Sequence, residues 1–454
     1  RMRIPLSGGK PVQALASLSH QQRRMLDGIE RDTDIVTGRS KRENVEDALT
    51  GTDFERVAYA TTEVTTTSTV AGDNSLIILN GTVTGSQEVQ ANQTLLGGGK
   101  TINIRGRHSG LVVPFTAPGA AGSLETPSLN SENLALSGSN IHVSGITIVG
   151  DRGGAGDQGK GLSMGSGHKN IYLTNLHISK TWDYGISGED DNEVTISNVT
   201  LTEIDADAIV FGDSNTIAIH GTTIDNSFGG GIDIRRNNVE VVISDTRITN
   251  IQGVGIDFST DNEKIVVSNT LINDTGGKDA FQFSSGNTDV TISNVTIRGD
   301  VEDAIELGGG GNAKIWALEV TGSERGIAVG RAAKAEIRNS TFTDITGKVF
   351  DSGNEVTWTL LNSTVNGAGD DVFELGTDDK LYVAGNTFLG DIAGSIFSFE
   401  RDGAVVQDGS TGNYISGVTF TSGGQVCSVS SGVTFSGSTI KFLDVTTTVD
   451  PPIC

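Results

Sequence analysis

The residues best placed for chemistry are Asp233 and Asp257, each the middle of an apolar-acid-apolar triplet: Ile232-Asp233-Ile234 and Ile256-Asp257-Phe258. The same frame recurs along the chain, and its middle positions read Val210, Asp233, Asp257, Gln282, Glu306, Ala328 and Glu374. If the flanking apolar side chains point inward, every middle residue points outward, and successive copies stack roughly 5 Å apart. Two carboxylates at that separation can act as the acid and nucleophile of a glycosidase or can hold Ca²⁺, and their like charges raise the pKa of one of them. Arg235, two residues along the Asp233 strand, can neutralise the pair or orient an anionic sugar. The candidate catalytic set is therefore Asp233, Asp257, Arg235 and Glu306, with calcium at Asp233 and Asp257 as the one cofactor the pattern allows. Against catalysis stands the ordinary fate of acids on an exposed face, which is to be solvated.

The stacking itself follows from self-similarity. Short strands written VTISNVTL (Val194 to Leu201), IAIHGTTI (Ile217 to Ile224), VVISDTRI (Val241 to Ile248), IVVSNTLI (Ile265 to Ile272) and VTISNVTI (Val290 to Ile297) begin 23 to 25 residues apart. Looser copies follow at Ala335, Trp358 and Leu381. A second motif of the same period interleaves with them: DAIVF (Asp207), GGIDI (Gly230), VGIDF (Val254), DAFQF (Asp279), DAIEL (Asp303), RGIAV (Arg325) and DVFEL (Asp371). Two or three such strands per period, broken by Gly, Asn and Asp, describe one coil that cannot bury its apolar face alone; stacked coils can. An all-β solenoid of roughly 22 to 25 residues per coil is expected, with roughly 15 coils between Ala71 and Leu443.

In the first motif Asn175, Asn198, Asn269, Asn294, Asn339 and Asn362 hold one register, with Gly145, Gly221, Asp245 and Gly385 substituting. Asn, Asp and Gly tolerate left-handed backbone, so these positions read as turns, and stacked amides can bond from coil to coil. The pattern resembles the right-handed parallel β-helix superfamily that includes pectate lyases, polygalacturonases, phage tailspikes and bacterial surface passengers. That resemblance speaks to fold and not to activity. The catalytic motifs of its enzymes are missing: His220-Gly221 is preceded by Ile219 where polygalacturonases have glycine, and Arg235-Arg236 only faintly matches a lyase arginine with clustered aspartates.

Composition agrees with many short strands: 61 Gly, 7 Pro, 5% aromatics and a formal charge of −24. So acidic a chain is a poor partner for nucleic acid or an anionic membrane surface. No apolar run is long enough to span a bilayer as a helix. The six histidines (His20, His108, His142, His168, His177 and His220) show no metal-ligand spacing. Gly308 to Gly311 lacks the Lys-Ser of a phosphate loop and reads as a turn. Glu189-Asp190-Asp191 and Asp370-Asp371 fall at turns. Trp182, Tyr184, Trp316 and Trp358 are the aromatic candidates for stacking on sugar rings, several of them expected inside the core. The stretch Thr116 to Ser139 and the glycine-rich insertion Asp151 to His168 interrupt the period, as loops over one face do.

The ends depart from the repeat. Residues 1–56 form an N-terminal segment with a short helix at Leu18 to Met25 capped by Ser19; residues 57–443 form the solenoid; residues 424–454 form a cap in which Cys427 pairs with Cys454 and implies an oxidising compartment. The string RMRIPL, with LSHQQRRMLDGIERDTDIVTG (Leu18 to Gly38), resembles the segment following the barrel of inverse-autotransporter-type outer-membrane proteins. That resemblance implies a passenger excised from a longer precursor, at the outer surface of a Gram-negative bacterium or outside the cell. On balance the sequence favours a non-enzymatic surface β-helix that adheres to glycans or proteins, or assembles end to end into filaments through the strand around Thr65, Thr66, Thr67 and Val70. A polysaccharide hydrolase or lyase, and a tailspike-like receptor-binding fibre, are the alternatives.

Overall fold

The computed structural model describes residues 43–61, 72–125, 132–150, 159–399, 405–408, 413–420, 426–429, 434–435 and 442–443. The chain divides into two compact units, Arg1–Glu43 and Asn44–Cys454. The expected helix at Leu18 to Met25, the barrel-like N-terminal string, Thr65, Thr66, Thr67, Val70 and Cys454 all lie outside the described residues.

The second unit is a parallel β-solenoid. Each regular coil contributes three strands, as in Glu193–Ser197, Thr200–Ile204 and Ile209–Phe211. Corresponding strands of successive coils pair in parallel and in register, building three sheets. The third sheet holds 14 strands, from Gln87–Gln90 to Cys427–Val429, which gives about as many turns. The first and second sheets fuse where Val290–Arg298 and Asn312–Thr321 each run through both without a break. No α-helix occurs among the described residues.

The period works because alternate side chains file inward. Val194, Ile217, Val241 and Ile265 stack on one another, as do Ile232, Ile256, Phe281 and Ile305, and all are buried. Each fully buried aliphatic or phenyl side chain contributes about 1.5–3 kcal/mol, so one coil gains little alone and many coils gain much together. Toward the C-terminal half the file turns aromatic: Phe350 stacks on Phe373 at 4.5 Å and Phe373 on Phe397 at 5.6 Å. Trp358 is buried against them.

The expected turn register is observed. Asn175, Asn198, Asn269, Asn294, Asn339, Asn362 and Asp245 all have φ between 50° and 54°, and Gly145, Gly221 and Gly385 take the same conformation. A second polar ladder lies at the turn from the third sheet to the first. There the side-chain oxygens of Asn215, Asn238, Asn262 and Asn287 each accept the backbone N–H of the preceding ladder member, at 2.6–3.0 Å. Asn192, Asn215, Asn238 and Asn262 are 0% exposed.

At the N-terminal end an antiparallel hairpin, Thr101–Gly106 with Val112–Thr116, leaves the coil path, and Val45–Asp47 adds to its edge. The small apolar cluster of Leu76, Ile78, Leu96, Ile102 and Ala117 lies between hairpin and coils, so Ser75–Leu79 is buried on both faces. Asp47 anchors this cover: its carboxylate meets His142 Nδ1 at 2.7 Å and accepts from Thr94 Oγ1 at 3.0 Å.

Candidate functional site

The outward face of the third sheet carries the acidic file. Pairing places Ala135, Ser163, Ser187, Val210, Asp233, Asp257, Gln282, Glu306, Ala328, Asp351, Glu374 and Ser398 in one line, one per coil. The sequence order of this file is thereby observed, with Asp351 added from the coil whose strand is Phe350–Ser352. Asp233 and Asp257 are direct neighbours on Ile232–Ile234 and Ile256–Phe258. Their Cα atoms are one parallel-strand spacing apart, about 4.8 Å. Glu306 stands two coils beyond Asp257, behind Gln282, whose amide donates to it at 2.8 Å. Arg235 Nε lies 3.9 Å from Asp233 Oδ2 and is half exposed.

A second file, three residues earlier in each coil, reads Lys160, Tyr184, Asp207, Gly230, Val254, Asp279, Asp303, Arg325, Lys348 and Asp371, of which Asp279 and Asp303 are buried. Asp207 lies close enough to perturb both candidate acids. Burial, then Asp207, push Asp233 up to about 6 against the opposing Arg235. Burial, then Asp233 and Asp207, push Asp257 up to about 7. One carboxylate oxygen of Asp257 is buried and has no hydrogen-bond partner among the described residues. Further along, Asp279 and Asp303 are raised to about 7 and about 6, burial again being the largest cause. There, however, the charge is met: Arg325 bonds Asp303 and reaches Asp351 at 3.5 Å, and Lys348 pairs with Glu374 and Asp351. Among the described residues the Asp233–Asp257 pair has only Arg235.

On the other side of the pair the file turns small, and a groove of about 560 Å³ opens over Ala135, Ser163, Ser187 and Val210. Its walls include Lys160, Tyr184, Glu189 and Arg235. The Lys160 ammonium sits 5.8 Å from the centre of the Tyr184 ring. Neither acid lines the groove, but its last file member, Val210, is the register neighbour of Asp233, and Arg235 belongs to its lining. A proton donor still partly protonated near pH 7, a more acidic neighbour and a nearby trough are the components of acid-base cleavage of a chain-like substrate.

The remaining sequence candidates are dispersed. Trp358 is buried, which removes it from sugar stacking; Tyr184 lines the groove; Trp316 is exposed on the first sheet. Glu189-Asp190-Asp191 are exposed at a turn, as expected. Among the described residues no group of three or more His, Cys, Asp or Glu side chains is arranged to hold a metal ion, so Ca²⁺ at Asp233 and Asp257 would need ligands beyond these two. Asp207, Asp279, Asp303, Arg325 and the groove itself were not singled out from sequence. The DA dipeptides of the second motif did mark the first three, but only as the opening residues of a strand, with no role assigned.

His142 belongs to a different constellation. Its Nδ1 meets Asp47 and its Nε2 lies 2.9 Å from Thr174 Oγ1, which donates to Ser144 at 2.8 Å. The residue types match a nucleophilic triad, yet Asp47, His142, Ser144 and Thr174 are all buried beneath the N-terminal strand. The network fastens that strand.

The chain belongs to the right-handed β-helix family: the model of the right handed beta helix region matches residues 130–278 and 279–440. No curated protein matches the sequence. Among solved structures it is similar to a periplasmic alginate epimerase (10% identity, 76% of each chain, TM-score 0.40). It is also similar to a tailspike protein of bacteriophage CBA120 (9% identity, 81% of this chain and 57% of that one, TM-score 0.43). A third is the alginate lyase of a Paenibacillus species (15% identity, 80% of this chain and 99% of that one, TM-score 0.30). At such values the likeness concerns the course of the backbone and says nothing about chemistry.

Proposed function

We propose that the third-sheet face handles polysaccharide and that Asp233 and Asp257 cleave it. The observation that carries this reading is the half-buried, underneutralised acid pair in the coils next to the groove. Asp257, held neutral by burial, protonates the glycosidic oxygen. Asp233, ionised beside Arg235, attacks the anomeric carbon to form a glycosyl ester, which water then hydrolyses with Asp257 now acting as base. The spacing of neighbouring coils suits this retaining course, for which carboxyl groups about 5–5.5 Å apart are usual.

A panel of polysaccharides, assayed for reducing ends and for the ultraviolet absorbance of unsaturated ends, tests this proposal. Hydrolysis should generate reducing ends alone, and Asp257→Asn should lower the rate by about 10²–10⁴. Because the pair titrates as a unit, the rate should peak between about pH 6 and pH 7. Activity that survives Asp233→Asn together with Asp257→Asn would end the assignment.

A second reading, display and end-to-end assembly outside the cell, is favoured by the first strand of the first sheet. Arg56–Ala60 pairs only with Ser75–Leu79 among the described residues, and its Val57 and Tyr59 are 55% and 47% exposed. An open edge of this kind can accept a strand from another copy, with Thr65, Thr66, Thr67 and Val70 as the mating segment. A bridge from Cys427 to Cys454 and an outer-surface location belong to the same proposal. Sedimentation at rising concentration should reveal higher oligomers, and Val57→Lys should abolish them. A monomer throughout the range would remove this reading.

A further inference from the structure

We infer that the first sheet carries a second glycan-binding surface, distinct from the acid pair, that holds an acidic polysaccharide between Trp316 and Tyr382. Four coils from Asp289 to Thr359 enclose a groove of about 520 Å³ on the outward side of this sheet, with Thr291, Lys314, Lys334, Thr357 and Thr359 in its lining beside the acids Asp289 and Glu336. Parallel register sets Thr291, Lys314, Glu336, Thr359 and Tyr382 in one file. Lys334, Thr357 and Lys380 form the file beside it, and Trp316 lies two residues beyond Lys314 on the same strand face. Trp316 and Tyr382 are therefore separated by three coil steps, roughly 14 Å, with Glu336, Arg338 and Thr359 between them, Lys314 beside Trp316, and Lys334, Thr357 and Lys380 flanking them on one side.

Each component points to the same chemistry. Trp316 is 38% exposed and Tyr382 36%, so two rings stand at the surface of a protein that buries most of its large aromatic side chains. A ring on a flat strand face can stack on the C–H face of a pyranose. Threonine hydroxyls supply hydrogen bonds to sugar hydroxyls. Glu336 is bonded by Arg338, whereas Lys314, Lys334 and Lys380 have no acid within 4 Å among the described residues. With Glu336 answered by Arg338 and Asp289 offsetting one lysine, three ammonium groups leave a small positive excess on a chain of net charge −24, too sparse for a nucleic acid but suited to spaced carboxylates. The surface does not depend on the reading of Asp233 and Asp257.

Affinity electrophoresis of the full chain through gels containing polygalacturonate or dextran at low salt tests the surface, with Asp233→Asn/Asp257→Asn as the background so that cleavage cannot intervene. Polygalacturonate should retard the protein and dextran should not. Lys314→Gln with Lys334→Gln should weaken the retardation about tenfold, and Trp316→Ala by a comparable factor. All three positions are exposed, so melting temperatures should stay within a few degrees of the parent, which reports intact folding. Equal retardation of parent and lysine variant, equal retardation by the two polymers, or none by either would overturn the inference. Loss on Lys314 and Lys334 substitution with no effect of Trp316→Ala would also overturn it, since that is how an acidic peptide site behaves. Cleavage activity measured on the Asp233 and Asp257 parent decides the other proposal separately.

Discussion

Two polar files climb the same coils and meet opposite fates. The asparagines from Asn192 to Asn287 are sealed from water, yet each amide oxygen accepts an N–H from the coil before it, and the Nδ2 groups of Asn238, Asn262 and Asn287 donate to backbone carbonyls. The acids from Asp207 to Glu306 are less buried, yet four carboxylates there are pushed to about 6 or 7, and one Asp257 oxygen finds no partner. The ladder is not perfect, since Asn215 Nδ2 is buried without a partner among the described residues, but a neutral amide that accepts at every step and donates at most of them stabilises the solenoid. Carboxylates only accept when ionised, so stacking them accumulates repulsion. Such a file persists in a marginally stable protein most readily where it serves something other than folding.

The difference can be broken from either side. The largest effect should come from Asn238→Ala, which strips the acceptor from Asn215 N–H and leaves buried groups unpaired; a loss of about 2–4 kcal/mol in denaturant unfolding is expected. If melting is unchanged, the amide ladder is not what holds the register. Next, Asp257→Asn should stabilise the protein by roughly 1–3 kcal/mol at pH 8. The sign follows from linkage: a carboxyl raised to about 7 when folded but near 3.8 when unfolded favours folding only while protonated. Its stabilising contribution is lost as pH rises from about 4 to about 7, so the gain from the substitution should vanish near pH 4. A benefit that is independent of pH would mean the aspartate is not strained by charge.

Smaller changes sharpen the comparison. Arg325→Met should leave Asp303 facing Glu306 and Glu302 without its cation, and cost about 1–2 kcal/mol above pH 6, read by thermal melts across pH. Asn269→Gly should be nearly neutral, within about 0.5 kcal/mol, because Asn269 has φ 50° at an exposed turn and glycine accepts that conformation. A large loss there would assign coil-to-coil bonding, rather than turn geometry, to the exposed asparagines.

How far sequence carries one toward this picture depends on range. The Val194, Ile217 and Val241 files and the Asp233–Asp257 adjacency were legible because both follow from one period and strand alternation. Asp351 was missed because its coil writes VFDS where its neighbours write RGIAV and DVFEL, so the outward position lost its frame. The sealed ladder escaped notice because Asn192, Asn215 and Asn238 lie outside the strand motif, while the more regular Asn198 and Asn269 drew the turn assignment. The groove depends on the small side chains of four separate coils lying side by side. The Asp47–His142 bond joins residues 95 apart, with no repeat to announce it.

The interlocked amides also bear on how the fold can be altered. Each coil is fastened to the next by the same bond at the same place, so a whole turn of 23 to 25 residues can in principle be removed or duplicated between equivalent asparagines without disturbing its neighbours. A deletion one residue too long would swing every following side chain to the opposite face. The trough could thus be lengthened or shortened in steps of about 4.8 Å, leaving the neighbouring pair untouched.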